Sequence, residues 1–77
     1  MNVAIFSKSF PSENEHYMQQ IVRDLEARQA GMIIYEPFYQ KIKGRIAFQA
    51  EPGLFVKHSD IVGDVDCLLS IGGDGTL

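Results

Sequence analysis

The chain has 77 residues, enough for one small domain with a modest core and too few for two. Ten acidic residues against seven basic ones give a net charge of −3, without the basic stripe that a nucleic-acid backbone needs. A single cysteine excludes an intramolecular disulfide, and no apolar run reaches the length of a membrane span or a signal-peptide core, so the expected setting is cytoplasmic.

Val3-Ala4-Ile5-Phe6 is a continuous apolar run of the kind seen in a strand covered on both faces, and it predicts the first, central strand. Residues 7–12 read as a loop, and Ser12 with Glu15 has the form of a capping box opening a helix. Tyr17, Met18, Ile21, Val22 and Leu25 recur at helical spacing and predict one apolar stripe, with Glu13, Gln20, Arg23, Asp24 and Arg28 facing water. Gly31 is expected to end this helix. Met32-Ile33-Ile34-Tyr35 predicts a second strand, stopped by Pro37, which completes a strand-helix-strand unit.

Phe38, Tyr39, Ile42 and Ile46 fit a second helix interrupted by Gly44. Lys41, Lys43 and Arg45 make its outer face basic, which reads as a solvated surface. From Glu51-Pro52-Gly53 the chain turns, and residues 54–63 show no clean period, so a loop with one helical turn near 59–62 is expected. Asp60, Asp64 and Asp66 match no calcium-loop spacing, and His16 and His58 have no partner at ligand spacing. All five are read as solvated, and no metal ligand is assigned. Cys67 is expected to be a buried thiol in a third strand.

That third strand, Cys67-Leu68-Leu69-Ser70-Ile71, runs straight into Gly72-Gly73-Asp74-Gly75-Thr76. Glycine permits positive φ and, lacking Cβ, lets backbone N–H groups approach a bulky anion such as phosphate. At ordinary residue frequencies the five-residue string arises by chance in about one chain in ten thousand of this length. Asp74-Gly75 alone is also a hairpin signal, but two further glycines upstream exceed what a two-residue turn requires. Glu36 closes the second strand where dinucleotide folds place an acid on a ribose, yet residues 7–12 contain no glycine to seat a pyrophosphate. A Walker loop is also excluded, since no Gly-Lys-Ser/Thr occurs.

Three apolar strands separated by helical segments predict an α/β domain over 1–77: a short parallel sheet in the order 2-1-3, with helices on opposite faces in a three-layer, Rossmann-like arrangement. In that order the winding reverses between the first and third strands, and ligands bind outside the carboxyl ends of the strands at such a point. Lys8 follows the first strand there, within reach of an anion held by the glycines.

These residues resemble a group of kinases that carry Gly-Gly-Asp-Gly-Thr after a strand: NAD kinases, diacylglycerol- and sphingosine-type lipid kinases and, with a final Ser, phosphofructokinases. Phe6-Ser7-Lys8-Ser9-Phe10-Pro11 matches neither the Asn-Pro-containing turn of the lipid kinases nor the glycine-rich turn of the phosphofructokinases. Val3 to Phe6, a helix, and then Asp66 to Leu77 look most like the amino-terminal, phosphofructokinase-like domain of a bacterial NAD kinase. The resemblance implies transfer of the terminal phosphoryl group of ATP, or in some members polyphosphate, to the 2'-hydroxyl of the adenosine ribose of NAD, giving NADP. A divalent metal, magnesium by expectation, takes part. It further implies that Asp74 contacts the acceptor ribose as catalytic base, that Gly72, Gly73, Gly75 and Thr76 hold phosphates, and that the full-length protein is a homo-oligomer. The family's Asn-Glu/Asp motif and carboxy-terminal β-rich domain are absent, so the 77 residues are expected to be a fragment with little activity alone. Besides the lipid kinase, the alternative is a phosphate- or nucleotide-binding module without chemistry.

Overall fold

The structure, a computed structural model, describes residues 1–70 apart from 9, 11, 62 and 64 and the side chain of His58. Strands β1 (Asn2–Phe6), β2 (Gly31–Tyr35), β3 (Gly53–Phe55) and β4 (Cys67–Ser70) alternate with helices α1 (Glu15–Ala27) and α2 (Glu36–Ile42), with short 3-10 turns at Ser12–Asn14 and His58–Asp60. All strand pairs are parallel, and the sheet runs β3-β2-β1-β4.

The expected order 2-1-3 therefore needs correction. Gly53–Phe55, expected to lie in a turn and loop, adds a fourth strand outside β2 through the register Ile33↔Gly53, Ile34↔Leu54 and Tyr35↔Phe55. This strand also decides where the helices go. Both crossovers, β1 to β2 and β2 to β3, step the same way across the sheet, and right-handed connections in one direction leave their helices on one face. Met18, Val22 and Leu25 of α1 accordingly share one core with Phe38 and Ile42 of α2, against Val3, Ile5 and Ile34 of the sheet. The helices do not lie on opposite faces. The second face carries a smaller cluster, Ala4 with Phe55 and Ile61, flanked by Phe6, Ile33, Tyr35 and Val65.

β1 is central, as its composition implies: Val3, Ala4 and Ile5 are all buried and point alternately into the two cores. In α1 the buried stripe is Met18, Val22 and Leu25, spaced i, i+4, i+7, while Tyr17 is 60 % exposed and leaves the stripe. The capping box does not form. Ser12 lies in the 3-10 turn, Asn14 is the cap without a side-chain bond, and the Glu15 carboxylate is taken by Arg45 at 2.7 Å.

Gly31 does not end α1 either; it opens β2. The helix stops in a Schellman arrangement, in which Ala30 N–H donates to Leu25 O at 2.9 Å and Gln29 N–H to Glu26 O at 3.0 Å. The left-handed residue this motif requires is Gln29, at φ 58°. β2 passes directly into α2 at Glu36, with Pro37 in the first turn, where its missing N–H costs no helical bond.

α2 ends at Ile42, and the following segment runs along α1 as a strap. Arg45 reaches Glu15, Ala47 exchanges two hydrogen bonds with the Gln19 carboxamide (2.8 and 3.0 Å), and Gln49 N–H donates to Glu26 Oε2 at 2.7 Å. Alternate strap residues thus meet one polar ridge of α1. β4 pairs with β1 from Val3↔Cys67 to Phe6↔Ser70. Cys67 is exposed, contrary to expectation: β4 is an edge strand among the described residues, and of its side chains only Leu69 packs against the larger core.

Candidate functional site

The carboxyl ends of β1 and β4 lie side by side because Phe6 and Ser70, the last residues of both strands, are register partners. From β1 the sheet extends to β2 and β3 on one side and to β4 on the other, so the winding reverses between β1 and β4. An open α/β sheet leaves a crevice for ligands outside the strand ends at such a point. The added strand β3 leaves that reversal where the sequence predicts it. Gly72, Gly73, Asp74, Gly75 and Thr76 follow Ser70 closely in sequence but lie outside the described residues. Lys8 is the one candidate residue whose position is described.

Beyond β1, Ser7 is buried and Lys8 is exposed. The main chain of this loop is held from α2 and the turn after it. Lys41 Nζ donates to the Lys8 carbonyl at 2.7 Å. Arg45 Nη1 donates to the Phe10 carbonyl at 3.3 Å, and its guanidinium carbon stands 4.4 Å from the centroid of the Phe10 ring. Phe10 in turn packs edge-on against Phe38, with centroids 5.8 Å apart. Lys41 and Arg45 are thus loop-holding cations rather than a merely solvated face. Both contacts span more than thirty residues of sequence, and no local period announces them.

On the sheet face away from the helices, Phe6, Tyr35 and Phe55, each the last residue of its strand, form a row with centroid spacings of 4.6 and 5.6 Å. These rings close the smaller core at the carboxyl ends of the strands.

The described carboxylates serve the backbone. Asp66 Oδ2 accepts the Asn2 N–H at 2.8 Å while Asp66 N–H donates to Asn2 O at 2.9 Å, which joins the start of β4 to β1. Asp60 Oδ2 accepts the N–H groups of Lys57 at 2.9 Å and Val56 at 3.2 Å. Those two bonds, Lys57 first, hold its carboxyl below the ordinary value of 3.8, since they stabilise the ionised form. Neither aspartate is simply solvated. Asp64 lies outside the described residues, as does the side chain of His58, while His16 is exposed. No group of three or more His, Cys, Asp or Glu side chains converges among the described residues.

At the opposite end of the sheet, an open groove of about 390 Å³ is lined by Glu26, Gln29, Gly31, Gln49, Glu51 and Pro52 among others. It lies beside the start of β2, away from the winding reversal, and the Glu26 carboxylate in it is committed to the strap. No helix among the described residues is long and apolar enough to cross a membrane. Comparison with known protein families, curated proteins and solved structures finds no match.

Proposed function

We propose that the chain is the amino-terminal nucleotide-binding domain of an NAD kinase, which moves the terminal phosphoryl group of ATP to the 2'-hydroxyl of the adenosine ribose of NAD. The observation that carries this reading is the register Phe6↔Ser70, because it sets the strand leading to Gly72-Gly73-Asp74-Gly75-Thr76 beside the strand leading to Lys8 at the reversal of winding.

Phosphoryl transfer depends on positioning and on neutralising charge as it spreads over the phosphoryl oxygens. Gly72, Gly73 and Gly75 contribute backbone N–H donors to the phosphates, and Thr76 adds a hydroxyl. Asp74 accepts a hydrogen bond from the ribose 2'-hydroxyl and aims its oxygen. As that oxygen bonds to phosphorus, the bond from phosphorus to the bridging oxygen of ADP breaks, and the hydroxyl proton passes to the Asp74 carboxylate. A carboxylate with an ordinary pKa near 4 is a weak base for an alcohol, so the proton moves late. Lys8 supplies a cation at the edge of this site. Small nucleotides are the partners, and the full-length protein works as a cytoplasmic homo-oligomer.

The test is NADP formation from NAD, ATP and magnesium by the protein expressed at the full length of its gene. The parent is expected to make NADP, and Asp74→Asn to lose about a hundredfold or more in rate, as general-base removal typically does. A folded parent that makes no NADP contradicts the reading and directs attention to lipid acceptors and then to binding without chemistry.

A further inference from the structure

We propose that Arg45 is a positioning residue of the candidate site: its guanidinium fixes the loop that leaves the carboxyl end of β1, one of the two strands that border the reversal of winding. The inference deepens the kinase reading and rests on it for what the crevice receives. Phe10 is the buried apolar side chain of this loop among the described residues, and one guanidinium grips it twice. Nη1 donates to the Phe10 carbonyl at 3.3 Å, and the guanidinium carbon stands 4.4 Å from the centroid of the Phe10 ring. The same group donates through Nε to Glu15 Oε2 at 2.7 Å, and Glu15 is the first residue of α1. A single planar group thus ties the middle of the loop to the helix that the loop enters.

The base of Arg45 is itself fixed. Its N–H and that of Ile46 both donate to the Ile42 carbonyl, at 2.9 and 2.8 Å, and the side chains of Ile42 and Ile46 are buried. Phe38 of α2, fully buried, meets the Phe10 ring edge-on. α2 and its closing turn therefore form a firm bed on which Phe10 is laid. Ser7 and Lys8 then run between two anchored points, the end of β1 and Phe10. A guanidinium suits the task because its donors lie in one plane whose face also stacks on a ring, whereas an ammonium is a compact point charge. A loop ordered in advance spares the ligand the entropy of ordering it. That saving is the same in the ground state and the transition state, so its loss shows in KM and not in kcat.

The experiment compares the parent with Arg45→Ala and Arg45→Lys, by steady-state NADP formation at the full length of the gene and by ¹⁵N relaxation of the 77-residue chain. Arg45→Ala is expected to raise KM for at least one of ATP and NAD about fivefold and to leave kcat within about twofold. Amide order parameters at Lys8 and Phe10 are expected to fall from about 0.85 to about 0.6 or less, with Ile5 and Ile34 unchanged. Arg45→Lys, which keeps the charge without the planar fork, is expected to leave KM raised about threefold. A fall in kcat with KM unchanged is the mark of a merely structural role and overturns the proposal. So do loop order parameters that stay at the parent value or fall equally in the sheet, and so does full restoration by Arg45→Lys. Absence of NADP from the folded parent fails the kinase reading separately, while the order parameters still decide whether Arg45 fixes the loop.

Discussion

β1 has two parallel neighbours, held in different ways. On the β2 side, Ile34 is buried, both helices cover the sheet, and the strap from Arg45 to Gln49 is bonded to α1 by side chains of both partners. On the β4 side, Cys67 and Leu68 are exposed, Leu69 alone joins the larger core, and the strand start is pinned by the reciprocal Asn2–Asp66 pair. The difference teaches a division of labour. The β2 half carries most of the apolar burial that stabilises the domain, and the β4 edge, which leads in sequence toward the motif, carries little of it among the described residues.

The strongest way to break this comparison is to empty the core on the β2 side. Phe38, fully buried between the helices and the β1 loop, is expected to cost about 3–5 kcal/mol when changed to Ala, comparable to the whole stability of a small domain. Leu68→Ala, at a half-exposed position on β4, is expected to change stability by about 0.5 kcal/mol or less. Urea unfolding of both variants checks the pair, and equal losses would remove the distinction.

Arg45→Ala comes next. It severs the bond to the Phe10 carbonyl, the contact with the Phe10 ring and the ion pair with Glu15, and the summed loss is expected to be about 1–2 kcal/mol, given the exposure of the ion pair. A double-mutant cycle with Glu15→Gln separates the ion pair from the loop contacts. Gln29→Gly sharpens the comparison in the opposite direction. It relieves a side chain held at positive φ and is expected to stabilise by about 1 kcal/mol, read in the same urea assay.

The smallest effect concerns Asp60, which holds the turn after β3. Its carboxyl is depressed, so the contribution of its two N–H bonds is complete above the ordinary value of 3.8 and is lost as pH falls through the lower folded value. Amide exchange at Val56 and Lys57 is expected to speed up in Asp60→Ala at neutral pH. In the parent, once the intrinsic pH dependence is removed, protection should fall only below pH 3.8.

What was legible in the sequence follows from how local each signal is. The Val3 to Phe6 run announces a strand buried on both faces, and the Met18, Val22, Leu25 stripe announces a helix over a sheet, because burial writes a period into neighbouring residues. β3 is three residues long with Leu54 exposed, too short to show alternation, and missing it also misplaces α2, whose face depends on where β3 pairs. Helix termination was read from a glycine, yet a glutamine takes the left-handed position, which the closure of the turn and the packing of Leu25 and Ala30 support. At the candidate site, the pairing of β1 with the strand before the glycines was expected from helices on opposite faces; both helices share one face, and the reversal comes instead from the return of the chain from β3 across the sheet to the far side of β1. The grip of Lys41 on Lys8 was not legible, because it joins two elements far apart in sequence.

The central claim is that ligand binds at the carboxyl ends of β1 and β4 rather than in the groove at the start of β2. The direct measurement is a residue-resolved amide map of the ¹⁵N-labelled chain titrated with ATP. Shifts concentrated at Ser7, Lys8 and Ser70, with Gln29, Gly31 and Glu51 unmoved, are the predicted result. Shifts centred on Gln29, Gly31, Gln49 and Glu51, with Ser7 and Lys8 silent, would contradict it.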